Sequence, residues 1–435
     1  MDWNEEAAAT ASLGNSLCRT EELYHNRDLH QILPPNLLKV AKAFNEISHA
    51  HFDSIAVSIL CILPCLCGGA TVSQEKGMQG RAIILYMLLL APSGVGKTSV
   101  AMMARKYFLN WLDNEFKHQE SAVAQKQKIK NPDVFLDGAS AEGLEASFQS
   151  GSAPHLVMDE FGKFATASKN DVVKLTFLRM IMQIYDSGTL VTRKLKDSNR
   201  SELLMIKGMG LFAASTIGRS NLTPQDMRNM IADGLLNRFL VIFGQYKRIP
   251  LRQELTAAQV KEVEIFSREF HDYAREKQFY LGTDALNIYE RFHETVNEKY
   301  YQKYKAEDDT AGMDVRSLTV VQRVAMLFQV CKNMEDGQAE NREVEAISMI
   351  RAVQLLEYLD QNHFDQILLY ANSKDGRPTL EDRVLREIQK KDRQKVRDIV
   401  RNLNGVKTMD VHAAVHMLVR AGLAIQDQSG FISKA

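Results

Sequence analysis

The sequence has no net charge, because its 54 lysine and arginine residues equal its 54 aspartate and glutamate residues in number. Any nucleic-acid binding must therefore come from local basic patches and not from the field of the whole protein. Cysteine is scarce: five residues, an odd number without regular spacing, are typical of a reducing compartment. We therefore expect a cytoplasmic protein.

The sequence also lacks a hydrophobic run long enough to cross a membrane. Residues 55–67 are apolar, but the run is too short to span a bilayer and Pro64 interrupts it. We expect a buried helix beside a sheet, in which Cys61, Cys65 and Cys67 are small hydrophobic side chains and not metal ligands. The acidic first residues, M-D-W-N-E-E, predict no signal peptide, and no membrane partner is expected.

An apolar strand followed by a glycine-containing loop stands out in the remaining sequence. Residues 83–90 form an unbroken apolar run, which predicts a strand buried on both faces in a parallel sheet. The next residues, A-P-S-G-V-G-K-T, match the phosphate-binding pattern [AG]-x4-G-K-[ST], and a helical pattern follows. A chance match is the alternative, but strand, loop and helix all stand where phosphate binding needs them. The predicted nucleotide-binding residues are Pro92, Ser93, Gly94, Val95, Gly96, Lys97, Thr98 and Ser99.

Two adjacent carboxylates follow a second short apolar strand, residues 155–158. At a strand end that faces the phosphate loop, Asp159 together with the Thr98 hydroxyl would bind Mg²⁺, and Glu160 would polarise the attacking water. Ordinary surface charges are the alternative. The position about 60 residues after a phosphate loop favours ATP hydrolysis with Mg²⁺.

Residues 189–206 have the pattern of a β-hairpin with a basic tip. The positive side chains are Arg193, Lys194, Lys196 and Arg200. Contact with the phosphate backbone of DNA is one interpretation. A solvated hairpin whose edges are protected by charge is the other.

A further buried strand, residues 210–216, ends in the hydroxyls of Ser215 and Thr216, and either residue could sense the γ-phosphate. Arg238 comes directly before another predicted strand. An arginine held at a subunit edge can reach the γ-phosphate bound by a neighbouring subunit and stabilise the transition state.

The order of these motifs resembles that of AAA+ ATPases, in particular the MCM-like helicases. The similar segments are D-E-F-G-K-F at 159–164, A-A-S-T at 213–216, L-L-N-R-F at 235–239 and V-R-S-L at 315–318 followed by Arg323. Their counterparts in that family are D-E-F-D-K-M, the sensor strand A-A-x-N, the arginine finger L-L-S-R-F and the second-sensor helix V-R-x-L-E-x-L-I-R. Residues 233–239 also resemble D-G-L-L-x-R-F of an uncharacterised P-loop family of phage and plasmid primase-helicases. The resemblance covers about residues 35–435.

The resemblance implies an α/β fold: an AAA+ P-loop core with a parallel sheet flanked by helices, a helical lid and a C-terminal winged helix. The expected divisions are an N-terminal arm (1–34), the core (35–250), the lid (251–370), a linker (371–378) and the winged helix (379–435). The catalytic residues it implies are Lys97, Asp159, Glu160, Thr216, Arg238, Arg316 and Arg323. Arg316 and Arg323 lie two turns apart on one predicted helix and share a face. One of them would contact the nucleotide, and ordinary surface arginines are the alternative.

Two departures from the family pattern restrict which members of the family the sequence resembles. Serine or threonine stands where the family has the sensor asparagine, and neither an N-terminal OB-fold or zinc domain nor a primase motif is recognised in the sequence. We therefore expect a compact helicase of a mobile genetic element and not a chromosomal MCM protein. Its C-terminal helices, 380–390, 393–403 and 410–421, would contact DNA, bind a protein or brace a ring.

The sequence thus predicts an ATP-dependent ring helicase, most simply a hexamer, that unwinds DNA in the replication of a phage, plasmid or genomic island. DNA would pass through the central channel, and a primase or initiator subunit is a further candidate partner. The alternative is an ATP-switched initiator or loader that binds DNA without processive unwinding. A P-loop effector in antiphage defence is a third hypothesis, although no additional effector domain is recognised in the sequence.

Overall fold

The structure is a computed structural model. It describes residues 28–91, 96–112, 135–137, 141–149, 153–165, 171–192, 202–217, 222–244, 254–306, 310–372, 380–390, 393–403, 406–420, 424–427 and 430–434. Most of the expected N-terminal arm therefore lies outside the described residues. Within them, every helix is too short or too polar to cross a bilayer.

The described strands are numbered in chain order. They are β1 Thr71–Ser73, β2 Arg81–Ala82, β3 Ile84–Ala91, β4 Phe135–Asp137, β5 His155–Met158, β6 Thr189–Thr192, β7 Glu202–Met205, β8 Met209–Thr216, β9 Phe239–Phe243, β10 Gln278–Leu281, β11 Glu343–Val344, β12 Gln394–Lys395, β13 Ala424–Gln426 and β14 Phe431–Lys434.

The described helices are numbered in the same way. They are α1 Leu29–Ile32, α2 Pro35–Ile47, α3 Phe52–Leu66, α4 Lys97–Ala104, α5 Ala141–Gln149, α6 Phe161–Ala165, α7 Val172–Ser187, α8 Pro224–Ala232, α9 Ala257–Ala274, α10 Thr283–Lys305, α11 Ala311–Asp336, α12 Ala346–Leu359, α13 Asp365–Ala371, α14 Leu380–Gln389, α15 Val396–Asn402 and α16 Thr408–Arg420. A 3₁₀ turn covers Leu236–Arg238, and π-helical turns cover Arg105–Leu109 and Asp360–Phe364.

A five-stranded parallel sheet organises the larger part of the chain. Its order is β4-β5-β8-β3-β9, so the apolar strand β3 lies between β8 and β9. All eight residues of β3 are buried, as expected for an unbroken apolar run in a parallel sheet with both faces covered. The predicted parallel sheet flanked by helices is confirmed, and the carboxyl ends of its strands meet at one edge.

Helix α3 packs directly against this sheet, and all fifteen of its residues are buried. The Cys61 thiol donates to the carbonyl oxygens of Leu85 at 3.2 Å and Leu211 at 3.1 Å. The approach is so close that a Cβ on Gly210 would lie 2.0 Å from the Cys61 carbonyl oxygen. Cys61, Cys65 and Cys67 are buried with free thiols, and burial raises the pKa of Cys61 to about 12. The predicted buried helix is confirmed, and the three cysteines are buried as expected.

A second sheet crosses the expected boundary at residue 250. Its order is β11-β10-β1-β2, and β1 pairs in parallel with β10, about two hundred residues later in the chain. The segment expected as a helical lid, residues 251–370, is therefore not helical throughout. The strands β10 and β11 are four and two residues long, too short to show a period, and are fixed by a distant partner. One continuous hydrophobic core includes residues from Leu29 to Ala371.

The C-terminal residues form a unit with its own hydrophobic core. Three helices, α14 to α16, accompany an antiparallel sheet of order β12-β14-β13. The three predicted helices are present, but the second begins at Val396 and not at Arg393. The reason is that Gln394 and Lys395 pair with β14, a contact that the local sequence does not reveal.

Candidate active site

The predicted phosphate loop, carboxylates and hydroxyls meet at the carboxyl edge of the parallel sheet. Strand β8 lies between β5 and β3, with Met158 paired to Ala213 and Ala91 paired to Thr216. Asp159 follows β5, Thr216 ends β8, and the loop that leads to Lys97 follows β3. Residues far apart in sequence are neighbours here because parallel strands end at the same edge.

Gly96 and Lys97 are described residues of the predicted phosphate loop. Gly96 has a φ of +76°, and a Cβ there would lie 3.1 Å from the Cβ of His49. Glycine suits both the backbone conformation and the close contact. Helix α4 begins at Lys97, and the Ser99 hydroxyl donates to the Gly96 carbonyl at 2.6 Å. Pro92, Ser93, Gly94 and Val95 lie outside the described residues, as does the side chain of Thr98.

The ammonium group of Lys97 lies between the ends of β3 and β8. It donates to the Ala91 carbonyl at 3.1 Å and to the Thr216 hydroxyl at 3.0 Å. Partial burial lowers the pKa of Lys97, and the charge of Asp159 opposes that shift. The strand ends therefore hold a lysine near a carboxylate, an arrangement suited to a phosphate group with a divalent cation.

Asp159 and Glu160 are exposed and turn the chain from β5 into α6. Glu160 has a φ of +55°, a conformation that is uncommon for a residue with a side chain, and its N–H donates to Asp159 Oδ1 at 2.9 Å. Such backbone strain is concentrated at functional sites.

Ser215 and Thr216 have different surroundings. Ser215 is 1% exposed, and its hydroxyl accepts a hydrogen bond of 3.1 Å from the Gly162 N–H in the first turn of α6. Thr216 contacts Lys97 instead. Thr216 therefore lies beside Lys97, and Ser215 holds the segment that follows the two carboxylates.

The donor set at this edge is compatible with Mg²⁺ bound together with a nucleotide. The described residues contain no group of three or more His, Cys, Asp or Glu side chains arranged around a common metal position. Magnesium in phosphate-transferring sites needs only one or two protein carboxylates, since phosphate oxygens and water supply the other ligands. Asp159 is an exposed carboxylate close enough to Lys97 to affect its pKa.

Arg238 lies at the opposite edge of the sheet. It directly precedes β9, and Phe239 pairs with Tyr86 near the start of β3. Ala91, whose carbonyl contacts Lys97, is five residues further along β3, about 17 Å away at the usual strand rise. The structure therefore does not bring Arg238 to the Lys97 of the same chain.

Arg238 belongs instead to a cluster centred on Asp186, at the end of α7. Its guanidinium donates through Nε to Asp186 Oδ1 at 3.1 Å and through Nη2 to Asp186 Oδ2. Arg316 Nε lies 3.8 Å from the same Oδ1. Both arginines also donate to the Gly234 carbonyl. Burial, followed by the charge of Arg238, lowers the pKa of Arg316.

Arg323 is part of the protein core. It is 2% exposed and donates to the carbonyls of Ile84 at 2.9 Å and Tyr185 at 3.1 Å, and its guanidinium lies over the Tyr185 ring. Arg316 and Arg323 do share a face of α11, because they contact the adjacent residues Asp186 and Tyr185. Only Arg316 is partly exposed, so Arg323 is suited to a structural role.

Sequence reasoning missed Asp186 and the separate contact of Ser215. Residues 186–188, D-S-G, have only the local pattern of a turn, and nothing local marks an ion pair with a residue 52 positions away. The arms of the predicted hairpin are confirmed: β6 and β7 pair antiparallel, with Thr189 opposite Met205. The predicted tip, residues 196–199, lies outside the described residues, as do the basic residues at and around it, Arg193, Lys194, Lys196 and Arg200.

Comparison with known proteins adds no family assignment. The sequence matches no protein-family model, and a search of curated proteins finds no significant match.

Proposed function

We propose that the chain is an ATP hydrolase that acts as a ring-shaped DNA helicase or translocase. The observation that carries the proposal is the convergence of Lys97, Asp159, Glu160 and Thr216 at one edge of three adjacent parallel strands. The strand order, with the phosphate-loop strand between β8 and β9, supports an AAA+ core.

Each residue at this edge has a role in the proposed reaction. Lys97 and the first turn of α4 bind the terminal phosphates of ATP. Glu160 orients the attacking water, and Thr216 fixes Lys97 and senses the terminal phosphate. Mg²⁺, held by Asp159 and the Thr98 hydroxyl, would neutralise charge on the phosphate oxygens.

The position of Arg238 supports assembly into a ring. Because it lies about 17 Å along the sheet from its own phosphate site, Arg238 would complete the site of a neighbouring subunit. Arg316 shares the Asp186 cluster and would act beside it. A head-to-tail contact that closes on itself gives a ring, and a hexamer is the simplest expectation.

The remaining elements fit a DNA motor. The hairpin of β6 and β7 would carry its basic tip to DNA in the central channel, with electrostatic contact to the phosphate backbone. The helices from α9 to α13 would form the lid, and the C-terminal unit would be a winged helix. Replication of a phage, plasmid or genomic island is the process we propose.

The test compares wild type, Lys97→Ala and Glu160→Gln. We expect ATP-dependent rings and unwinding of a forked duplex with wild type, no hydrolysis with either variant, and retained ATP binding with Glu160→Gln. Hydrolysis that is the same in wild type and Lys97→Ala, or a wild type without hydrolysis, would overturn the proposal.

An ATP-switched loader is the second candidate, and the C-terminal unit favours it. Arg393 and Lys395 both lie over the Phe431 ring, at 4.3 and 4.9 Å from its centroid, and Arg393 also pairs with Asp427. The two cations would contact the phosphate backbone of DNA. Alanine at Arg193, Lys194 and Lys196 distinguishes the two functions. It should abolish DNA-stimulated hydrolysis in a motor and leave it unchanged in a loader.

A further inference from the structure

Asp186 lies where the arginine cluster meets the hairpin. Its carboxylate accepts two hydrogen bonds from Arg238 and is within ion-pair distance of Arg316. Two guanidinium groups therefore share one carboxylate and one carbonyl, that of Gly234. The cluster has an excess of positive charge, and its arginines have more donors than these two partners can satisfy.

The donors that these two partners leave over indicate that an anionic ligand completes the cluster. Phosphate and carboxylate oxygens accept several charge-assisted hydrogen bonds from guanidinium groups, and both arginines, Arg238 and Arg316, already converge on one anionic side chain.

The residues after Asp186 form the base of the hairpin. Helix α7 ends at Ser187, β6 begins at Thr189, and the Ile206 N–H closes the hairpin by donating to the Gly188 carbonyl at 2.9 Å. The Ser187 hydroxyl accepts from the Thr189 N–H at 3.1 Å. Asp186 is thus separated from the first hairpin strand by only two residues.

The residue before Asp186 is fixed. Arg323, in the core, donates to the Tyr185 carbonyl, and the Tyr86 ring packs against the Tyr185 ring. Because Tyr185 is held on one side and the hairpin begins on the other, a displacement of Asp186 is transmitted toward β6 rather than back along α7.

We propose that Asp186 is a positioning residue that couples the arginine pair to the hairpin. This inference rests on the proposed function, because the ligand is the terminal phosphate of a nucleotide bound by a second copy of the chain. Without that phosphate, Asp186 holds Arg238 and Arg316. A phosphate presents more acceptor oxygens and more charge than one carboxylate, so both arginines turn to it and release Asp186, which frees the base of the hairpin to move.

The experiment measures how strongly DNA stimulates ATP hydrolysis by the full chain, in wild type and Asp186→Asn. Asparagine keeps the size of the side chain and removes its charge. We expect the ratio of stimulated to unstimulated hydrolysis to fall by about tenfold, within the usual range of coupling between sites. Asp186→Glu, which restores the charge, should recover most of the ratio.

The matched control is Asp171→Asn, at the other end of the same helix. Asp171 caps α7 and pairs with Lys174 at 2.9 Å, and asparagine also caps helices well, so this variant should keep the wild-type ratio. Hydrogen exchange gives a second readout. The Ile206 amide should change its exchange rate when wild-type rings bind a non-hydrolysable ATP analogue, and should not change in Asp186→Asn.

The outcomes separate the coupling from the proposed function. If wild type hydrolyses ATP and responds to DNA while Asp186→Asn keeps the same ratio and the same exchange response, the coupling is overturned and the proposed function stands. If wild type has no Lys97-dependent hydrolysis, both are overturned. Should Asp186→Asn fail to fold, Arg316→Gln removes one of the two guanidiniums, and an unchanged ratio in that variant overturns the coupling equally.

Discussion

Arg238 and Asp186 form a doubly hydrogen-bonded ion pair in which the arginine is 6% exposed and the aspartate side chain 46% exposed. The guanidinium is therefore enclosed by the protein while its counter-ion faces the surface. A second anion that approaches from outside meets Asp186 first. The ion pair lies at the edge of the sheet away from Lys97.

The first prediction concerns Arg238→Ala. If Arg238 acts on a neighbour, hydrolysis should fall by about a thousandfold, as with other arginines that stabilise phosphoryl transfer. A mixture of Arg238→Ala with Lys97→Ala should regain activity, because one type of interface in the mixed ring combines an intact Lys97 with an intact Arg238. ATP turnover of each variant and of the mixture is measured at equal total protein.

The control for that mixture is Lys97→Ala combined with the double variant Lys97→Ala/Arg238→Ala, which provides no complete interface and should stay inactive. An inactive first mixture, with rings of both subunits demonstrated by mass spectrometry, would show that Arg238 does not act on a neighbour.

The second prediction separates Ser215 from Thr216. Ser215→Ala removes the acceptor of the buried Gly162 N–H and should lower the free energy of unfolding by about 1–3 kcal/mol. Thr216→Val leaves the Lys97 ammonium without one acceptor and should lower turnover by about a hundredfold through misplacement of that group, with little loss of stability. Denaturant unfolding and steady-state hydrolysis of both variants decide the assignment. The reverse pattern would make Ser215 the residue at the phosphate.

The third prediction concerns the contact between α3 and β8. A Cβ at Gly210 would lie 2.0 Å from the Cys61 carbonyl, and neither backbone can move without separating the helix from the sheet. Gly210→Ala should therefore lower the free energy of unfolding by about 3 kcal/mol or more, at the upper end of the range for overpacked cores. Gly337→Ala is the comparison, since no atom of the described residues lies within 4 Å of its Cβ position and only its φ of +67° opposes alanine. The free energy of unfolding of that variant should fall by about 1–2 kcal/mol. Equal decreases in the two variants would contradict the close packing of α3 against β8.

The fourth prediction concerns pH. Burial lowers the pKa of His155, at the start of β5, to about 3. The unfolded chain binds a proton below about pH 6.5 and the folded chain does not, so the stability from neutral His155 is complete above that pH and is lost as the pH falls toward 3. His155→Leu should therefore reduce the acid sensitivity of unfolding between pH 6 and 4 by about 1.4 kcal/mol per pH unit.

The pH dependence of wild-type stability has to be compared with that of His155→Leu, because Glu357 changes the free energy of unfolding with pH in the opposite direction. Burial raises its pKa to about 7, so its contribution favours the folded state at low pH and is lost as the pH rises through 7. Glu357 is present in both proteins, and its effect cancels in the difference. Identical pH profiles of wild type and His155→Leu would show that His155 binds a proton equally well in the folded and unfolded protein, and would contradict the prediction.

Much of the fold could be predicted because its signals are local. The apolar runs of β3 and α3, the two carboxylates after β5 and the paired arms of the hairpin are contiguous in sequence. Each is recognised from a window of fewer than about twenty residues. The sheet that joins β1 to β10 was missed because its strands are short and their partner is distant.

The candidate site also combines features with local sequence signals and features that depend on distant residues. The residue types at the candidate site can be recognised in the sequence alone: a lysine in a predicted phosphate loop, two carboxylates after a strand, two hydroxyls and three candidate arginines. Which of them are neighbours depends on the packing of the whole chain. Strand order and register bring Thr216 to Lys97, direct Ser215 to Gly162, and leave Arg238 at the far edge with Asp186. Arg316 and Arg323 belong to the same helix, yet packing encloses Arg323 and leaves Arg316 partly open. The physical reason is that these contacts join residues from about 50 to about 240 positions apart, and only the packed sheet and its helices fix such distances.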